Sequence, residues 1–111
     1  GQEIYEQAIV IKTARGVAII TGCAHPGITT IVDEVKNRFG ESVFLIAGGF
    51  HLKEATQEAI ENIARMLKCI GVKKVAPLHC TGAIAQGIFR KMFKIDCIRL
   101  RTGCILNLEH E

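Results

Sequence analysis

The chain has 111 residues and a mass of 12.1 kDa, enough for one domain with a small core and too short for a multidomain enzyme. Its 49% hydrophobic against 23% charged residues is the balance of a globular chain. The formal net charge is only +3, and no Lys/Arg run exceeds a pair such as Lys73 and Lys74, so the electrostatic footprint of a dedicated nucleic-acid binder is excluded.

Ala8 to Ile11 and Val17 to Thr21 are short β-branched runs, and the Gly-containing stretch Lys12 to Gly16 between them has hairpin length, so an antiparallel pair is predicted. After Pro26 and Gly27, the apolar residues Ile28, Ile31, Val32, Val35 and Phe39 share one helical face, and Gly40 stands where a C-cap is expected. Val43 to Ala47 is a continuous apolar run closed by Gly48 and Gly49, the pattern of a strand covered on both faces. Ala59, Ile60, Ile63, Leu67 and Ile70 form the stripe of a second helix. Glu54 and Glu58 lie near its start, Arg65 and Lys68 near its end, and Gly71 stops it.

Lys74 to Leu78 is the next predicted strand. Ile84, Ile88, Phe89 and Met92 suggest a third helix with that face buried. Cys97 to Arg101 alternates apolar with basic residues, as a half-exposed strand near an edge would, and a last run covers Cys104 to Leu108. Strands alternating with helices imply crossovers and a largely parallel sheet, so the fold class is α/β within a single domain, residues 1–111.

No apolar stretch approaches the roughly 20 residues that cross a bilayer, and the first residues lack a basic-then-apolar signal pattern. The expectation is a soluble, cytoplasmic protein without membrane or nucleic-acid partners. Because the chain starts without Met and leads directly into an apolar run, it reads as cut from something longer. The five cysteines are odd in number and contain no CxxC pair, which argues against a disulfide framework; Cys69, Cys97 and Cys104 read as packing residues. Cys23 and Cys80 differ, since each lies within two residues of a histidine.

Each of three successive predicted strands delivers one histidine at its C-terminal end: His25, His51 and His79, at intervals of 26 and 28 residues. Such intervals match one strand-helix unit, and the C-terminal edge of an open α/β sheet is where ligands bind. Imidazoles with adjacent thiols suit zinc or another borderline transition metal. His79, His25 and His51 are therefore the candidate metal ligands, and His51 equally suits a proton donor beside the metal. Metal-free Cys–His chemistry is the competing reading. The pair His79-Cys80 resembles the opening of a cysteine-phosphatase loop, but the sixth residue after Cys80 is Gln86, and Arg90 comes too late to clamp a phosphoryl group. No P-loop, GxGxxG or GxSxG motif is present.

Taken together, the blocks Ala8 to Thr13, Gly16 to Ile28, Gly48 to Leu52 and Ala76 to Gly82 resemble the C-terminal half of a metallo-β-lactamase superfamily protein. The nearest branch is that of metal-dependent hydrolases labelled dihydropterin or ribofuranosylaminobenzene 5'-phosphate synthase. The resemblance implies half of an αββα sandwich, with a mixed sheet carrying helices on one face and a two-metal site at its edge. It places His79 at the last histidine ligand. Where most members carry a bridging Asp after Thr-Gly, this chain has Cys23, so either Cys23 serves as a thiolate ligand or His25 takes the metal, the second being favoured.

The HxHxDH signature that supplies the first metal's ligands in the family is absent from the sequence. The implied function is the C-terminal portion of a metal-dependent hydrolase that acts on a phosphoester or related bond with metal-activated water, inactive without the HxHxDH half. The implied metal is Zn, with Mn or Fe as alternatives, and the partner in turnover is a small-molecule substrate. The alternative is a non-catalytic metal-binding or interaction domain. Half a sandwich leaves one sheet face uncovered, so association with the missing N-terminal half, or homodimerisation through that face, is expected.

Overall fold

The computed structural model describes residues 8–22, 24, 27–78 and 81–99. Strands β1 (Ala8–Thr13) and β2 (Gly16–Thr21) form the expected antiparallel hairpin, with Ala8 opposite Thr21 and Thr13 opposite Gly16. The connection is tighter than the sequence suggests. Only Ala14 and Arg15 remain in the turn, because the Thr13 hydroxyl donates to the Gly16 carbonyl at 2.7 Å and accepts from the Arg15 amide at 3.1 Å, drawing the strand ends together. Strand β3 (Val43–Gly48) pairs parallel to β2, and β4 (Lys74–Pro77) parallel to β3, giving a mixed sheet in the order β1-β2-β3-β4.

Helix α1 (Ile28–Phe39) follows β2 and stops at Gly40, whose left-handed backbone (φ 64°, ψ 18°) turns its amide back to the Lys36 carbonyl. Helix α2 (Gln57–Ile70) follows β3. Its N-cap is Thr56, whose hydroxyl accepts from the Ala59 amide at 3.1 Å; Glu54 lies ahead of the helix, and Glu58 alone is the acid of its first turn. Helix α3 (Ala83–Phe93) follows β4.

The main core joins one sheet face to all three helices: Val17, Ile19, Ile46 and Val75 meet Ile28 and Val32 of α1, Ile60, Ala64 and Leu67 of α2, and Phe89 and Phe93 of α3. The expected mixed sheet with helices on one face is therefore what the chain forms. The buried stripe of α3 is a correction. Ala85, Phe89 and Phe93 point inward, whereas Ile84 is 70% exposed and Ile88 and Met92 lie half-buried at the rim. The stripes beginning at residues 84 and 85 are about 100° apart on a helix, and the packing of Phe50 and Phe93 on Phe89 selects the second.

The opposite face of the sheet is apolar as well. Between Val17 and Ala18 the β2–β3 register shifts, Val17 facing Val43 and Ala18 facing Leu45, so that Phe44 is an extra residue and joins Leu45 in the second cluster with Ala18, Ala47 and Ala76. These residues are closed to solvent, but at the β1–β2 corner the cross-strand pair Ile9 and Ile20 is open, 60% and 38% exposed.

Beyond α3 the expected strand from Cys97 is reduced, in its described part, to one parallel bridge between Cys97 and Val75, with the Ile98 amide donating to the Val75 carbonyl at 2.8 Å. A 3-10 turn over Lys94–Asp96 uses up the approach, and the part-buried ion pair Lys74–Asp96 (3.6 Å) fixes it. Leu100, Arg101 and the run Cys104 to Leu108 lie outside the described residues. Of the cysteines read as packing residues, Cys97 is half-buried against the main core and burial pushes its thiol pKa up, against the pull of Arg90 and Arg99. Cys69 is exposed on the solvent side of α2, which corrects that reading; Cys104 lies outside the described residues. Among the described residues no helix is long and apolar enough to cross a membrane.

Candidate functional site

Strands β2, β3 and β4 run parallel, so their C-terminal ends open on one edge of the sheet. Backbone hydrogen bonds tie these exits to one another. The Gly49 amide donates to the Gly22 carbonyl at 2.8 Å, joining the β2 and β3 exits, and the Leu78 amide donates to the Gly48 carbonyl at 2.8 Å, joining β3 and β4. Side chains add two more links. The Thr21 hydroxyl donates to the Gly49 carbonyl at 3.0 Å, and the Phe50 amide donates to the Thr81 hydroxyl at 3.1 Å.

Within this frame His51 is displayed outward. Its neighbours Phe50 and Leu52 are both buried in the main core, while His51 itself is exposed on a left-handed backbone (φ 53°). Two buried apolar anchors flanking an exposed residue hold that residue at a fixed point of the surface. Left-handed non-glycine residues are uncommon and concentrate at functional sites. Ala24, in the β2 exit between Cys23 and His25, adopts the same conformation (φ 59°) and is fully buried.

Of the predicted site residues, His51 is described; Cys23, His25 and His79 lie outside the described residues. Their flanks are placed: the Gly27 amide closes on the Ala24 carbonyl at 2.9 Å across residues 25 and 26, and the Thr81 amide on the Leu78 carbonyl at 2.9 Å across residues 79 and 80. Among the described residues no three His, Cys, Asp or Glu side chains converge. Beside the edge, a cavity of about 400 Å³ lies between the His51 loop and the start of α3, lined by Leu52, Lys53, Ile60, Gly82 and Ile84 among others.

Thr21 and Thr81 are the residues to which the sequence reading gave no role. The signal available was the Thr-Gly pair occurring at two exits, Thr21-Gly22 and Thr81-Gly82.

No family model matches the chain. It is 40% identical over 102 residues to the 7,8-dihydropterin-6-methyl-4-(β-D-ribofuranosyl)-aminobenzene-5'-phosphate synthase of Methanocaldococcus jannaschii, a match covering 91% of this chain and 35% of that protein. Its fold superposes on a solved metal-dependent hydrolase of the β-lactamase superfamily with a TM-score of 0.85 and 35% identity, over 91% of this chain and 40% of the other. The resemblance drawn from the sequence and the fold class are both borne out, and the synthase name falls in the branch that the sequence pointed to. The chain spans well under half the length of either protein.

Proposed function

We propose that this chain builds one wall of a metal-dependent hydrolase site acting on a phosphoester or related bond of a small molecule, and that the HxHxDH-bearing portion found in the superfamily must complete it. The observation that carries the reading is the stitched edge: exits that bear Cys23 and His25, His51, and His79 are hydrogen-bonded to one another at their bases. The 35% identity and TM-score of 0.85 to a metal-dependent hydrolase support the same reading.

The donor set fits zinc, since neutral imidazole and thiolate are its preferred ligands; iron shares the imidazole preference, and manganese would need carboxylates from the completing portion. His79 and His25 are assigned as ligands, with Cys23 in competition with His25 for the same role. A bound metal would polarise the scissile oxygen and lower the pKa of a water toward neutrality. His51, fixed between buried anchors at the rim, either joins the ligands or delivers a proton to the leaving oxygen. A reducing, cytoplasmic setting is part of this reading, on the odd number of cysteines and the lack of a CxxC pair in the sequence.

Zinc content measured after purification from zinc-supplemented culture is expected to fall on His79→Ala and, to a smaller extent, on His25→Ala. Equal stoichiometry in the wild type and the double variant would remove the metal site from this chain. Hydrolysis of bis(p-nitrophenyl) phosphate is expected only when the chain is joined to an HxHxDH segment. Metal retention without hydrolysis after that completion would assign the alternative, a non-catalytic metal-binding domain.

The completing portion is proposed to lie over the open Ile9–Ile20 corner of the second sheet face. In its absence the 111-residue chain is expected to sediment above 12.1 kDa by pairing through that corner, with Ile20→Lys returning it to the monomer mass. A monomeric wild type would withdraw the corner from this role.

A further inference from the structure

Two polar residues, Thr21 and Thr81, are buried among the described residues, Thr81 completely. A hydroxyl in such a place costs stability unless it is hydrogen-bonded, and Val would fill the same volume without that cost. Their shared target gives the reason for Thr. The Gly49 carbonyl, which accepts from Thr21, and the Phe50 amide, which donates to Thr81, belong to one peptide unit. The carbonyl and N–H of a trans peptide point in opposite directions, and here one reaches to the β2 exit and the other to the β4 exit.

We infer that Thr21 and Thr81 are positioning residues that clamp the Gly49–Phe50 peptide from both sides and so set where His51 stands relative to the exits bearing His25 and His79. The inference rests on the metal-site reading above, taken with His51 among the ligands, and extends it to residues that touch neither metal nor substrate. Rotation of that peptide plane breaks both bonds at once. The next backbone pair of dihedrals belongs to Phe50, whose ring is locked edge-on against Phe89 at 5.2 Å, so little freedom remains before His51. The clamp also explains the two hydroxyls' long sequence reach, 28 residues for Thr21 and 31 for Thr81: each belongs to a different strand exit from the peptide that it holds.

The test is zinc affinity, measured by competition with a chromophoric chelator, together with the thermal midpoint and amide exchange of Phe50 in the metal-free protein. Thr81→Val is expected to weaken zinc binding by roughly ten- to a hundred-fold, the usual effect of losing an outer-sphere support. It is also expected to expose the Phe50 amide to exchange, and Thr81→Ser, which keeps the acceptor, to restore both. Thr21→Val, which frees the opposite side of the same peptide, should reproduce the loss and stands in where Thr81→Val does not fold. A merely structural hydroxyl would lower the midpoint and leave the affinity of the folded protein unchanged. That result, or equal weakening by Thr81→Val and Thr81→Ser, overturns the clamp. If wild type and His79→Ala bind zinc alike, the metal-site reading fails and the clamp falls with it. Zinc binding that depends on His79 but is indifferent to both Val variants brings down the clamp alone.

Discussion

Gly48→Ala is expected to abolish the native fold or to leave it severely destabilised, with a urea midpoint far below that of the wild type. The backbone at Gly48 has φ 130°, where L side chains are strained, and an added Cβ would lie 2.1 Å from the Thr21 carbonyl oxygen and 2.5 Å from its hydroxyl. Neither obstacle is the loose end of a long side chain. Thr21 is the ladder partner of Gly48, its hydroxyl is engaged by Gly49, and the Gly48 carbonyl holds the Leu78 amide, so relief in any direction breaks a link between strand exits. Strain and overpacking together are worth about 2–6 kcal/mol, against a typical total stability of about 5–15 kcal/mol. Gly40→Ala is the matching control. Its left-handed backbone faces open space, with nothing within 4 Å of the added carbon, and the cost should stay near the roughly 1–2 kcal/mol of left-handed strain alone. Equal losses from the two substitutions would mean that the crossing at Gly48 relaxes, and that the three exits are less firmly joined than their hydrogen bonds indicate.

What could be read from the sequence follows the range of the interaction involved. The hairpin, α1 with its Gly40 stop, and β3 are set by alternation, helical period and glycine, all local, and they appear where expected. The order in which histidines follow strands is legible for the same reason, since it needs only the chain order of elements. The stripe of α3 is legible in part: periodicity ranks Ile84 with Ile88, Phe89 and Met92, while the core keeps Phe89, on which Phe50 and Phe93 both pack, and takes Ala85 and Phe93 in place of Ile84. Thr21 and Thr81 escaped any role because their partners stand 28 and 31 residues away, a distance no local pattern encodes. Of the strand expected from Cys97, the described part forms one parallel bridge to Val75 after the 3-10 turn over Lys94–Asp96, and Leu100 and Arg101 lie outside the described residues.

Phe89→Ala should be the largest loss from within the hydrophobic core. The ring is fully buried, meets Phe50 edge-on at 5.2 Å and lies over Phe93 at 6.0 Å, so its removal leaves a cavity bounded by two other aromatic rings that are themselves anchored to different elements. Truncations of this kind cost about 3–5 kcal/mol. Leu67→Ala, in the last turn of α2 and equally buried, is expected to cost a comparable amount of about 2–5 kcal/mol. The two variants should part company at the site. Phe50 directly precedes His51 and its amide is held by Thr81, so a Phe50 ring freed of its neighbour loosens the His51 loop, whereas Leu67 packs one turn before Gly71 at the other end of its helix. Phe89→Ala is therefore expected to weaken zinc binding by the folded protein and to speed exchange of the Phe50 amide, with Leu67→Ala doing neither. Loss of stability without that difference would confine Phe89 to the core and leave Leu52 as the side-chain anchor of the His51 loop.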